Sequence, residues 1–233
     1  YHIIRLWQFD KMVKAGDFFP RWAPDLNFGF GVPLFNFFYS LPNYISEVFH
    51  FLGFSFIDSV KLTLASGMII SSIFFYLWIK SIFGIWPGVV GSIFYTLAPY
   101  HLVDLYVRGS PGEIWALAFF PAILWAIEKK SLLGGIFLAL LILSHNILAL
   151  IFIPFLISYI LFKIFMAPKL EKRFFIFHFS FFIFFGLSLS AFFWLPAILE
   201  AKYVNGLAII NFSDHFPALF QLLFPSWGAG FSI

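Results

Sequence analysis

Few side chains in this sequence can do chemistry, and they stand in short clusters. Asp17 and Asp25 flank Pro20-Arg21-Trp22-Ala23-Pro24. Arg108-Gly109-Ser110-Pro111-Gly112-Glu113 sets a guanidinium five residues from a carboxylate. His145-Asn146 interrupts a long apolar tract, and Lys202 closely follows Glu200. Carboxylates and imidazoles take or give protons. Guanidinium and ammonium groups stabilise anions that form in a reaction. Each residue also has a plain structural use. Asp17 can close a helix and Asp25 a turn. Glu113 can be a first-turn acid paired with Arg108. His145-Asn146 can be a turn with its backbone satisfied, and Arg21 and Lys202 can rest at lipid head groups. Zero cysteines exclude thiol catalysis, Cys-ligated zinc and disulfides.

The elements that must position these residues are helices in a membrane. Of 233 residues, 62% are apolar and 11% charged. Soluble domains run near 45–50% and 25%. That composition excludes a disordered chain, a nucleic-acid binder and an ordinary soluble enzyme. Most of the 38 phenylalanines are expected to face lipid. The fold class expected is all-α: a polytopic transmembrane helical bundle with external interfacial helices. Tyr1 is not an initiator Met, and both ends read as cut from a longer protein.

A crossing needs about 20 apolar residues. Charge-free runs predict six spans within residues 58–196, at about 62–83, 87–106, 113–128, 131–144, 147–166 and 174–195. The tract Ser131–Met166 would make roughly 54 Å of helix, too long for one crossing, so a hairpin turning at His145-Asn146 is expected. Alternating spans put Lys80, Lys129, Lys130, Lys163, Lys169, Lys172 and Arg173 on one side, and the other short loops carry only Arg108. The basic side is then cytoplasmic. Residues 1–57, the turns at Arg108–Gly112 and His145-Asn146, and residues 197–233 fall outside. The first segment sets Ile3, Ile4, Leu6, Trp7 and Phe9 against Arg5, Asp10, Lys11 and Lys14, the pattern of an interfacial helix. The stretch from Asp17 to Pro33 is too rich in proline and glycine for a helix. Residues 34–52 can form a second interfacial or re-entrant helix.

The string GDFFPRWAPDLNFGFGVPLFNFFYSLPNYISEVFHFLGFS resembles the first external loop of a bacterial and archaeal membrane family labelled "6-pyruvoyl-tetrahydropterin synthase-related". LSHNILALIFIPFLISYIL, LSAFFWLPAILEAKYV and DHFPALFQLLFPSWGAG are similar to later stretches of that family. An external amphipathic helix, then G-D-x-x-x-P-R, then a second helix also resembles the first loop of GT-C superfamily glycosyltransferases. That resemblance implies an enzyme of a prokaryotic plasma membrane that takes a sugar from a polyprenyl-phosphate donor on the external face. Its partners would be membrane lipid and the lipid-linked sugar, and a divalent cation is a possible cofactor. It makes Asp17, Asp25, Glu113 and His145 the catalytic candidates, and Arg21, Arg108 and Lys202 the donor-phosphate candidates. One cavity is expected to border the Asp17–Pro33 loop, the Arg108–Glu113 turn and the His145-Asn146 turn.

Two other functions fit the composition. A transporter or flippase for a lipid-linked solute is one. Coupled transporters place carboxylates mid-span, whereas Asp58, Asp104, Glu113 and Glu128 all sit at span ends. A noncatalytic membrane subunit is the other.

Overall fold

The computed structural model describes residues 1–204. The chain divides after Ala197 into two compact units. Of the second, the described part is the end of one helix and the turn Ala201–Tyr203, where Lys202 stands over the Tyr203 ring. Everything below belongs to the first unit.

That unit is helical, and among its described residues the only extended pairing is the isolated bridge Ala23–Val32. Helix α1 spans His2–Lys14, followed by the short α2 (Leu34–Phe37) and α3 (Leu41–Phe51). Then come α4 (Phe56–Phe83), α5 (Ile85–Thr96) and α6 (Pro99–Val103), with a π-helical turn over Asp104–Arg108. Helices α7 (Pro111–Glu128), α8 (Leu133–Ser144), α9 (Asn146–Met166), α10 (Lys172–Leu189) and, as far as Ala197, α11 (Ala191–Glu200) complete it.

Local chemistry sets several of these boundaries. Ser55 caps α4, its hydroxyl accepting from Asp58 N at 3.1 Å. The helix therefore starts before the first apolar residue of the run. Gly84, at φ 94, takes a backbone conformation few other residues tolerate and lets α5 fold back on α4. The expected second span, 87–106, is not one helix. Pro99 holds Ala98 extended, at ψ 137, so the helix stops and restarts. The tract 131–166 also breaks. His145 is extended, and its Nδ1 accepts from Leu148 N at 3.2 Å, capping α9.

Among the described residues three helices, α4, α9 and α10, are long and apolar enough to cross a membrane. Their lengths are about 42, 32 and 27 Å. Helices α5 and α8, at about 18 Å each, are shorter than a hydrocarbon core. The outer faces of the long helices carry Ile69, Ile73, Phe155, Phe165, Phe177 and Phe184, all exposed. A contiguous apolar surface of this kind fits lipid rather than water. Other phenylalanines, including Phe119, Phe152, Phe179 and Phe182, form the core instead.

Helix α7 is the hub and is buried along most of its length. It reaches α4 over a stripe of small residues, Ser59, Thr63, Gly67 and Ser71, the buried residues of that helix. Their four-residue spacing puts them on one face and lets the backbones approach. A Cβ on Gly67 would lie 2.7 Å from Ile114. Trp115 Nε1 donates to Thr63 O at 2.9 Å across the same contact. Helices α8 and α10 meet by the same means. A Cβ on Gly134 would fall 1.8 Å from the Phe182 ring, and one on Gly186 2.8 Å from Gly135 O.

Candidate functional site

The first turn of α7, the π-turn before it and the break between α8 and α9 bring their polar residues together. Arg108 Nη1 and Nη2 donate to Glu113 at 2.7 and 2.5 Å, a bidentate pair. Arg108 Nη1 also reaches Asp104 Oδ1 at 3.1 Å. Tyr100 OH donates to Glu113 as well, and Ser110 Oγ lies 3.4 Å from it. Gly109, in the left-handed region, reverses the chain so that Arg108 faces Glu113. Pro111 starts α7, placing Glu113 in the first turn beside unpaired helix N–H groups. Glu113 is 5% exposed.

Asp104 is fully buried, and its Oδ2 has no hydrogen-bond partner among the described residues. Burial first, and then the Glu113 charge, push its carboxyl up to about 7 against the pull of Arg108. For Arg108, burial works downward, but Glu113, Tyr100 and Asp104 outweigh it and hold the guanidinium above its ordinary range.

His145 Nε2 stands 3.9 Å from Glu113 Oε1, beyond hydrogen-bond reach. Because Nδ1 accepts from the backbone, the proton of the neutral ring sits on Nε2. Burial holds this imidazole below its usual range, partly offset by Glu113. Tyr39 packs on the ring at 4.8 Å between centroids.

Arg108, Glu113, His145 and Tyr39 open onto a cleft of about 460 Å³ that also takes in Arg5, Phe38, Ser110 and Asn146. The sequence pattern places Arg5 in an interfacial helix, and α1 delivers it here. Its guanidinium lies 3.7 Å from the centre of the Phe38 ring. Among the described residues it has no carboxylate partner. The cleft thus holds two guanidinium groups, Arg108 paired with the buried Glu113 and Arg5 with no carboxylate beside it among the described residues.

The other predicted residues lie elsewhere. Asp17 Oδ1 accepts from Phe19 N at 3.1 Å, a local turn. Asp25 receives Lys11 at 2.7 Å and Gln8 at 2.9 Å, tying the loop to α1, and these bonds hold its carboxyl below the usual range. Arg21 lines a separate cavity of about 210 Å³ with Phe35, Ser40, Tyr44 and Phe193. The expected single cavity therefore divides. The Arg108–Glu113 and His145-Asn146 turns share one cleft, while the residues Phe37–Tyr39 and α1 take the wall expected of the Asp17–Pro33 loop. Lys202 belongs to the second unit. No group of three or more His, Asp or Glu side chains among the described residues is placed to hold a metal ion.

No protein-family model matches the chain, and no solved structure matches it. It is similar to a protein of Lactococcus lactis subsp. cremoris (strain MG1363) described as "Uncharacterized protein". The two are 25% identical over 228 residues, covering 92% of this chain and 37% of the relative. The chain thus spans little more than a third of the protein it matches, and the likeness is one of sequence alone.

Proposed function

We propose that the cleft holds the phosphate of a polyprenyl-phosphate sugar on the external face of a prokaryotic plasma membrane, and that the chain is the membrane part of a GT-C-type glycosyltransferase. The observation that carries this reading is Arg5, a cation with no carboxylate partner among the described residues, in a cleft that already holds Arg108 and lies at the start of the bilayer-long helix α9. A phosphate offsets that charge. The Nε2–H of His145 is a second donor on the same wall.

Transfer forms a bond from the acceptor hydroxyl oxygen to the sugar's anomeric carbon and breaks the bond from that carbon to the phosphate oxygen. The electron pair leaves on the phosphate. Arg5 offsets the added charge. Arg108, drawn from Glu113 onto the phosphate, releases the carboxylate to take the hydroxyl proton. The test is transfer from a labelled polyprenyl-phosphate donor by the full-length protein. Arg5→Ala and Glu113→Gln should each lower the rate by about 10²-fold or more, while Asp25→Ala stays near wild type. An undiminished rate in Arg5→Ala removes the cleft as the donor site.

A noncatalytic or flippase role has one observation in its favour, the engagement of Arg108 by two carboxylates. Donor binding without transfer by the full-length protein would select it.

A further inference from the structure

At the far end of α7 a second polar cluster forms. Glu128 accepts from Lys163 at 2.7 Å and from Tyr159. Lys130 meets Glu171 at 3.2 Å and lies 4.6 Å from the Phe175 ring centre. These pairs engage both acids. Lys129, Lys169, Lys172 and Arg173 crowd the same end and have no carboxylate partner among the described residues. The surface is therefore strongly positive.

A cavity of about 280 Å³ opens there, between the end of α9 and the start of α10. Lys130, Lys163 and Glu171 form its polar edge, and Phe162, Met166 and Phe175 its apolar floor. The helices it joins are two of the three long enough to cross a bilayer. Their connection is short, so the cavity sits where a hydrocarbon core gives way to head groups. Phe155 and Phe162, seven residues apart on the exposed face of α9, continue the apolar surface from the cavity along that helix.

We propose that this cavity holds the head group of an anionic phospholipid, with the phosphate at Lys130 and the Ala167–Glu171 connection and an acyl chain along Phe162 and Phe155. The charge surplus selects an anion, and the apolar floor selects an amphiphile over a free phosphate. A basic pocket between helix ends at head-group depth is the setting in which proteins hold such lipids. The inference is independent of the cleft at the other end of α7.

Native mass spectrometry of the purified full-length protein, titrated with phosphatidylglycerol or with phosphatidylcholine of the same chains, tests it. The wild type should retain phosphatidylglycerol at least tenfold more strongly. Each basic residue near a membrane surface contributes roughly fivefold, so Lys130→Asn with Lys169→Gln should weaken retention on the order of 30-fold. Asn suits position 130, where φ is 51. Lys172→Gln with Arg173→Gln should weaken it similarly and serves if the first pair fails to fold. Lys61→Gln, an exposed lysine at the start of α4, should change nothing. Millimolar glycerol phosphate should not displace the lipid. Equal retention of the two lipids, wild-type retention by both double variants, or displacement by glycerol phosphate would overturn the proposal.

Discussion

Glu113→Gln tests the centre of the cleft most directly. The substitution keeps the shape of the side chain and removes its charge. Arg108 then loses one of its two acceptors on residue 113, now at 2.7 and 2.5 Å, together with the opposing charge, and keeps Asp104 at 3.1 Å. Removing one member of a fully buried pair costs about 3–5 kcal/mol. Here the carboxylate side chain is 6% exposed but Arg108 is 36% exposed, so water recovers part of its hydration. A loss of about 2 kcal/mol is expected for Gln, and about 3 kcal/mol for Ala, which also abandons Tyr100. For a unit of this size that is roughly 4–12 °C in Tm. Arg108→Met should cost a similar amount, because it leaves Glu113 buried beside Asp104. The double variant removes both charges together and should cost less than the sum by about 1–3 kcal/mol. Unfolding of the four proteins in one detergent, followed by circular dichroism, gives the cycle. Additivity within about 0.5 kcal/mol would refute the pairing as described.

Asp104 gives a pH signature. Its carboxyl is raised to about 7 in the fold, above the unfolded value near 4. Between those limits the folded chain binds the extra proton, so its contribution is full at low pH and is lost as pH rises toward about 7. Asp104→Asn should flatten that part of the Tm-against-pH curve, and an unchanged slope would assign it elsewhere. A methyl on Gly112 would meet the Tyr39 ring at 2.3 Å and Ser144 O at 2.8 Å, so Gly112→Ala should cost about 1–3 kcal/mol in thermal unfolding and displace Tyr39 from the cleft. Gly134→Ala should cost a similar amount, and Phe182→Leu should recover part of it by clearing the 1.8 Å overlap; no recovery would place the strain elsewhere. Asp25→Ala, which removes an exposed ion pair, should leave Tm nearly unchanged, because solvent screens such a pair.

The helical class, the three long apolar helices and the break at His145 were legible because they rest on local quantities. Composition, run length and a cap within three residues need no knowledge of what packs where. The pairing of Arg108 with Glu113 was legible for the same reason, since Gly109 and Pro111 confine the chain between them. The stripe Ser59, Thr63, Gly67, Ser71 is likewise visible in the sequence at four-residue spacing, and small residues at that spacing mark where helices approach in lipid.

Arg5 depended on tertiary structure. In α1, Lys14 has Asp10 one turn before it, while the positions three and four residues from Arg5 hold no acid, a faint sign that its partner is distant. The partner ring Phe38 and the cleft residues more than a hundred positions away come near only once α7 is buried among α4, α8 and α9. Likewise Asp25 and Arg21, four residues apart in one proline-rich loop, are sent to different places, because Asp25 is captured by Lys11 and Gln8 while Arg21 faces the aromatic cavity beside Phe193. Sequence spacing could mark these residues as reactive, but side-chain packing across distant helices decided which of them share a site.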